Sequence, residues 1–543
     1  MHFKACSLIA RRCCGELVSC SPSSTSGPKS VDSVDRRVRG VGVLTGRRST
    51  MNGSQFEVHV LSIAQGTRDS EAGTMRQITL SDLLTEFDDR IGSELNLDPL
   101  GLLVIWSAYG QKIFRNRISS ISNDVRNYTL NLFNHWVTKV LVEDDAVLPG
   151  KGLLHDKAYA GRGKDSAAFK QACLIYLENV FAFAMVEAQA HVSVETAGVL
   201  GISKARRLWE ETQGNPRLLF SPDARAHVLV RQNALGVSGR YKTPLVEMGF
   251  FDGGYDYALP ASRPQWQKAQ AQLFAQGKPL ARLQALVHEH LAELLADVRR
   301  KPELNFTELP VALKQALVAA FRSPAWVGAY ARDFWLGVTE LDQGAPGALY
   351  EALKQEWLPD GQTRERQTEQ VIALAAERVP LAADERDKLK RVQMLEPFLA
   401  ELDLLLGVML SAKSKSLAEV LAGWKSLDRD GSTLPRLAKP IEDDAEMRAQ
   451  VSGTAAERLT ELLALARANS VQEQVERLLR YHEKVMEARG QSPWLRLLNG
   501  SQLRVDVRIR PLPAKQDRPV GAWVHHYYVP QFRHLLSGMR GLS

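Results

Sequence analysis

Cysteine is scarce in this chain, and what there is sits at one end. Cys6, Cys13, Cys14 and Cys20 crowd the first twenty residues, and Cys173 stands alone after them. A secreted disulfide scaffold spreads its cysteines through the fold, so the pattern points to a reducing compartment with one buried thiol in the body. The four clustered thiols lack the C-x-x-C knuckle and any histidine at finger spacing, so no metal site is expected from them. Long hydrophobic runs are missing too. The best candidate, Ala172 to Val186, contains Glu178 and Asn179 and falls short of the ~20 residues that span a bilayer. No secretory apolar stretch opens the chain, because Arg11-Arg12 interrupts it. The reading is a soluble, cytoplasmic protein without membrane contact.

Linear catalytic signatures are also absent. A phosphate-binding loop needs a glycine directly before Lys-Ser/Thr, so that backbone amides reach the phosphate. In "GVSGRYKTP" that place belongs to Tyr241, ahead of Lys242-Thr243. In the second candidate, Gly161-Arg162-Gly163-Lys164-Asp165-Ser166, Asp165 replaces the magnesium-holding hydroxyl and Ala158 the first glycine. "LVHEHLAEL" offers His288, Glu289 and His290, but Ala292 stands where a zinc protease needs its second histidine. Asp428-Arg429-Asp430-Gly431-Ser432 fails the calcium-loop pattern, which needs three spaced oxygen ligands before the glycine and a glutamate at the twelfth position. No nucleophile elbow or dinucleotide fingerprint is found. No catalytic residue, metal or cofactor is assigned.

What is present is positive charge at both ends. Residues 1–50 carry nine bases against three acids, and residues 501–543 seven against two, while the whole chain is only +7. The stretch between is therefore mildly acidic, and the overall basicity misleads about the surface field. The opening is rich in Ser, Arg and Gly. It fits an organellar transit peptide, a disordered basic tail, or a start placed too far upstream of Met51 or Met75; the last two are favoured. Thr79-Leu80-Ser81-Asp82 makes a good helix opening soon after Met75.

From 79 to 490 apolar residues recur at three and four, the period of a helix. Asp98-Pro99 reads as an N-cap with proline at the first helical position. A helix from Ser122-Asn123-Asp124 carries Val125, Tyr128, Leu132, Trp136 and Val140 on one stripe and polar residues on the other. Another runs from about Ser166 to His191, and more follow to 489. Convincing strands are not expected in this body, and no repeat of solenoid length is seen. Breaks at 252–264 and 428–443 suggest a division into 1–74, 75–258, 259–430 and 431–543. The period then changes. In "WLRLLNGSQLRVDVRIR", Asn499-Gly500 lies between alternating runs, the signal of a hairpin. A third strand is expected at Ala522–Tyr528. The fold class is mainly α: a multi-helix body with a small antiparallel sheet near the C-terminus. A helix pair followed by a hairpin also makes the parts of a winged helix.

Three basic sets are candidates for nucleic acid. Arg504, Arg508 and Arg510 share one face of the hairpin, with a solvated outer face as the plain alternative. Lys204, Arg206 and Arg207 follow Gly201 at roughly helix-turn-helix spacing, although Arg207 stands where a buried apolar residue belongs; an ordinary helical corner is the alternative. Arg240 and Lys242 lie at the glycine-rich turn, which reads otherwise as a ligand-free turn with Thr243 and Pro244 opening the next helix. The functional expectation is a non-catalytic helical scaffold or adaptor of a cytoplasmic, bacterial, multiprotein assembly. Its partners would be other protein subunits, with DNA or RNA contact as an addition, as in a phage-defence complex. The competing expectation is an enzyme, such as a metal-dependent nuclease, whose acids meet only in three dimensions.

Overall fold

The computed structural model describes residues 98–540, apart from 155–156, 158, 160–162, 297–301 and 359–361. The readings of the N-terminal cysteines, the basic tail and the Met75 start lie outside those residues.

The described chain is mainly helical. Its longer helices are α1 (Leu102–Phe114), α2 (Val125–Glu143), α3 (Ala167–Ala188), α4 (Ile202–Glu211), α5 (Ala281–Ala296), α6 (Val311–Phe321), α7 (Pro324–Thr339), α8 (Gly344–Lys354), α9 (Thr368–Ala376), α10 (Ala383–Met409), α11 (Leu417–Ser426), α12 (Thr433–Asp443), α13 (Gly453–Ala466), α14 (Val471–Ala488) and α15 (Val529–Met539). Local sequence sets many of their starts. The Asp124 side chain accepts from Arg126 N, Ser166 from Phe169 N and Ser323 from Trp326 N, each satisfying an amide the helix leaves orphaned. Ser416 and Glu419 form a full capping box at α11. At α1 the expectation is shifted. The helix starts after Gly101, and Asp98 accepts from Leu102 N at 2.8 Å and Leu103 N at 3.1 Å across an intervening turn.

Two small antiparallel sheets accompany the helices. Strand β1 (Arg217–Leu219) pairs with β2 (Glu303–Asn305), and β3 (Ser414–Ser416), β4 (Leu495–Leu498) and β5 (Gln502–Val505) form a sheet in the order β3-β5-β4. The hairpin turn is where the sequence puts it. Asn499 (φ 50°) and Gly500 (φ 70°) both occupy the left-handed region, and Ser501 N donates to Leu498 O at 3.2 Å. Leu503 and Val505 face inward and Arg504 outward, as alternation requires.

Several expectations are corrected. The body contains strands: β1, β2 and β3 are three-residue pieces, too short for any period to reveal. The third strand of the C-terminal sheet is β3, from far upstream; 522–528 is irregular. Its amides at Val524 and His525 donate to the Glu396 carboxylate at 2.7 and 2.8 Å, so a side chain replaces the neighbouring strand. The polar linker 428–443 contains helix α12. Pro435 sits in its first turn, where no amide is needed, and Leu434, Ala438 and Ile441 bury one face. Helix α3, at 22 residues, is long and apolar enough to cross a membrane by length and composition, but 94% of its apolar window is buried inside the fold.

Tertiary ties join distant segments. His482 donates from Nδ1 to Pro99 O at 3.0 Å and accepts at Nε2 from Trp494 N at 2.8 Å, linking α14 to the lead-in of α1 and to the lead-in of β4. Tyr481 donates to Leu100 O, and Tyr109 to Met447 O. Helix α15 crosses α7 so closely that a Cβ on Gly328 would lie 2.1 Å from Gly538 O. Two buried ion pairs, Glu401–Arg429 at 2.7 and 2.9 Å and Glu356–Arg533 at 2.8 and 3.0 Å, are both bidentate. Breaking one partner leaves an uncompensated buried charge. Glu356→Ala should therefore cost ~3–5 kcal/mol by denaturant unfolding, and replacing Glu356 and Arg533 together by apolar residues of similar volume should recover most of it. Equal stability of the single variant and the wild type would contradict this assignment.

Candidate functional site

The glycine-rich stretch 231–257 lies over the most polar part of the interior. Helix α2 carries Asn127, Asn131, Asn134, His135 and Thr138, which fall on one face at 3.6 residues per turn. All are buried, so the face that looks solvent-directed in sequence points inward. Helix α3 brings Lys170, Cys173, Glu178 and Asn179 to the same interior. Cys173 is the buried thiol expected of the body, and burial raises its pKa, which leaves it protonated and unreactive.

Glu178 organises the turn. Its Oε1 accepts from Ser238 N at 2.7 Å and from Ser238 Oγ, and its Oε2 accepts from Gln232 Nε2 at 3.1 Å. Gln232 also bonds Asn179, whose amide reaches Ala226 O. The Ser238 amide that begins the short helix Val237–Arg240 thus already faces a carboxyl group supplied by the protein. Gly236 makes room for it, since a Cβ there would lie 2.2 Å from Glu178 Oε2. Burial pushes the Glu178 carboxyl up, against the hydrogen bonds that favour its charged form.

The following loop is closed by cations and rings. Lys170 donates to Tyr255 O at 2.8 Å and lies 5.0 Å over the Tyr257 ring. The Tyr257 hydroxyl meets His135 Nδ1 at 2.8 Å, and burial pushes that imidazole down to about 3, so it is neutral. Lys242 donates to Gly253 O at 2.6 Å and lies 4.0 Å over Tyr255, and Arg240 is half-buried at the end of its helical turn. Lys242 therefore bonds the loop it precedes. The start of the next helix differs from expectation as well: Pro244 lies inside Lys242–Glu247, and Thr243 is not its cap. The side-chain amides of Asn131 and Asn134 and His135 Nε2 have no hydrogen-bond partner among the described residues.

The other basic sets are dispersed. Lys204 and Arg207 are exposed on α4, with Arg207 paired to Glu211 at 2.9 Å, while Arg206 donates to Gln189 at 3.1 Å and to Thr196. The connection from α3 to α4 runs from Gln189 to Gly201, longer than the three- or four-residue turn of a helix-turn-helix. At the C-terminal sheet, Arg504 stands opposite Arg496 in the register, and Asp506 pairs with both. Arg508 is exposed, whereas Arg510 lies 5.6 Å over the Trp494 ring. Strand β5 ends at Val505, so the three arginines do not share one regular face. Other C-terminal bases pair within the chain: Lys515 with Asp428 at the surface, Arg518 with Ala400 O, the buried Arg533 with Glu356, and Arg540 over Trp357.

The histidines go separate ways. His288 lies 3.1 Å from Asp144, His290 bonds Tyr176 at 2.7 Å, His525 stacks on Trp106 and His526 meets Thr368. Among the described residues no three His, Cys, Asp or Glu side chains are grouped to hold a metal ion. Sequence reasoning missed Glu178, Glu396 and Glu401, because buried acids in helices look like any solvated acid. It also missed an outer slot between α3 and α6, lined by Val192, Val311, Val318 and Arg322. No family model, curated protein or solved structure matches the chain.

Glu396 gives the interior a pH signature. It accepts from Val524 N, His525 N and the Tyr527 hydroxyl, yet burial pushes its pKa from 4.5 up to about 7. A carboxyl raised on folding stabilises fully below its unfolded value, and that contribution is lost as pH rises through the folded one. Unfolding free energy should thus fall between about pH 4.5 and 7 by on the order of 3 kcal/mol more in the wild type than in Glu396→Gln. Denaturant titrations across that range measure it, and superimposable profiles would refute the role given to Glu396.

Proposed function

We propose that this chain is a non-catalytic helical scaffold, an adaptor subunit of a multiprotein assembly. One observation carries the reading. The buried ionisable groups are used to join segments far apart in sequence: Glu401 to Arg429 and Gly521, Glu396 to 524–527, Glu356 to Arg533, Glu178 to 232–238. Each carboxylate is held by several donors, which fixes geometry and leaves no free base or nucleophile there. A nuclease would need carboxylates converging on one accessible point. These instead lie on different ties.

Contact with nucleic acid is the second reading, and it is favoured by the C-terminal sheet alone. Arg496 and Arg504 stand side by side with Arg508 close by in sequence, and Asp506 pairs with the first two. Such contacts would grip phosphate without reading bases.

Purification of the full chain from its own cells, with and without nuclease, tests both. The scaffold reading expects a partner protein in fixed ratio that survives nuclease. A chain recovered alone under both conditions would refute it. For the second reading, affinity for duplex or single-stranded nucleic acid should fall with salt, and Arg504→Ala with Arg508→Ala should lower the salt slope by about one for each phosphate contact removed. A slope unchanged by the double variant would remove the sheet from consideration.

A further inference from the structure

Helices α3 and α6 pack side by side and leave a slot of about 770 Å³ on their outer side. One wall is the face of α3 at Ala184, Glu187 and Ala188, continued by Val192 and Val194. The other is the face of α6 at Val311, Lys314, Val318 and Arg322, an i, i+3, i+7, i+11 series. Large apolar groups are left in water here. Val311 is 62% exposed and Val192 53%, and Trp326, 42% exposed, lies under the Arg322 guanidinium at 3.6 Å. A tryptophan and an arginine are what binding surfaces concentrate, and here they adjoin exposed aliphatic groups.

We propose that this slot receives an amphipathic helix from a partner protein, apolar face inward and an acidic residue against Arg322. The inference rests on the scaffold reading and names the class of partner. Ala184, Ala188 and Ala319 are small, so a third helix can approach the two that form the walls. Charge selects the sign of the partner. Lys314 and Glu187 cross the slot at 2.7 Å and neutralise one another, which leaves Arg322 as the uncompensated charge among the described lining residues with ordinary full charges. An acidic residue meets it, and the neutralised Lys314–Glu187 pair offers a polyanion such as nucleic acid no further cation. A small molecule fits less well, because the walls supply stripes of aliphatic side chains and few converging polar groups.

The test pans a displayed library of helix-forming peptides, with both faces randomised, against the full chain. Recovered binders should carry apolar residues at i, i+3, i+4 and i+7 with an acidic residue flanking them. Their affinity should fall tenfold or more for Val311→Asp, whose wild-type side chain is 62% exposed. Arg322→Glu should reverse the preference from acidic to basic flanks, a result that simple misfolding would not produce. Binders without helical spacing, binders indifferent to both variants, or an empty selection would overturn the proposal. So would self-association of the chain abolished by Val311→Asp, because the occupant would then be a second copy. The same variant in the purification from cells separates the two ideas. Loss of the native partner supports the slot. Retention of a partner by Val311→Asp and Arg322→Glu removes the slot and leaves the scaffold reading intact.

Discussion

Glu396 and Glu401 lie on the inner face of α10, both fully buried, and the C-terminal part of the molecule is arranged around their need for donors. An ionised carboxylate in an apolar interior is intolerable unless charge or hydrogen bonds compensate it. Glu401 takes the Arg429 guanidinium and the Gly521 amide, and Glu396 takes two amides and a hydroxyl from 524–527. The segment 518–528 is thereby laid along α10 without belonging to a sheet. Arg518 adds a bond to Ala400 O, and the left-handed Gly521 (φ 76°) lets the chain pass Pro397 closely. Helix α15 then starts where it can lock against α7 through Gly328 and Gly538.

The same principle operates at the other end of the molecule. Helix α2 is buried all round from Val125 to Thr138, so its polar stripe must find partners indoors, and the stretch 231–257 folds over it to supply some of them. This explains why that stretch looks like a ligand loop. It has the glycines, the bases and the aromatics of one, but its Ser238 amide is taken by the Glu178 carboxyl, its Lys242 bonds a backbone carbonyl and lies over a ring, and its Tyr255 and Tyr257 pack on His135. The chemistry of a site is present and turned inward.

Charge at the C-terminus follows suit. Its surplus of bases reads as a surface for nucleic acid, yet most of those bases are clamps. Arg533 is sunk against Glu356, Arg540 and Arg510 lie over tryptophans, and Lys515 bridges to Asp428. Net charge counted along a chain says nothing about which charges reach solvent. The exposed apolar groups between α3 and α6, Val192 and Val311 among them, are what the proposal of a docked partner helix rests on.

Local chemistry was legible wherever a single segment decides the outcome. The helix starts at Asp124 and Ser166, the Asn499-Gly500 turn and the helical class of the body follow from neighbouring residues, whereas alternation holds for Leu503 and Val505 and fails by Ile509, which is exposed. Tertiary structure decided what depends on distant partners. It turned the polar face of α2 inward and made a helix of the proline-marked 433–443. It also gave the C-terminal sheet its third strand from 414–416 rather than 522–528, and it distributed the basic candidates. Burial is the reason. A sequence shows which side chains can bond, but only the packed fold determines which are removed from water and must do so.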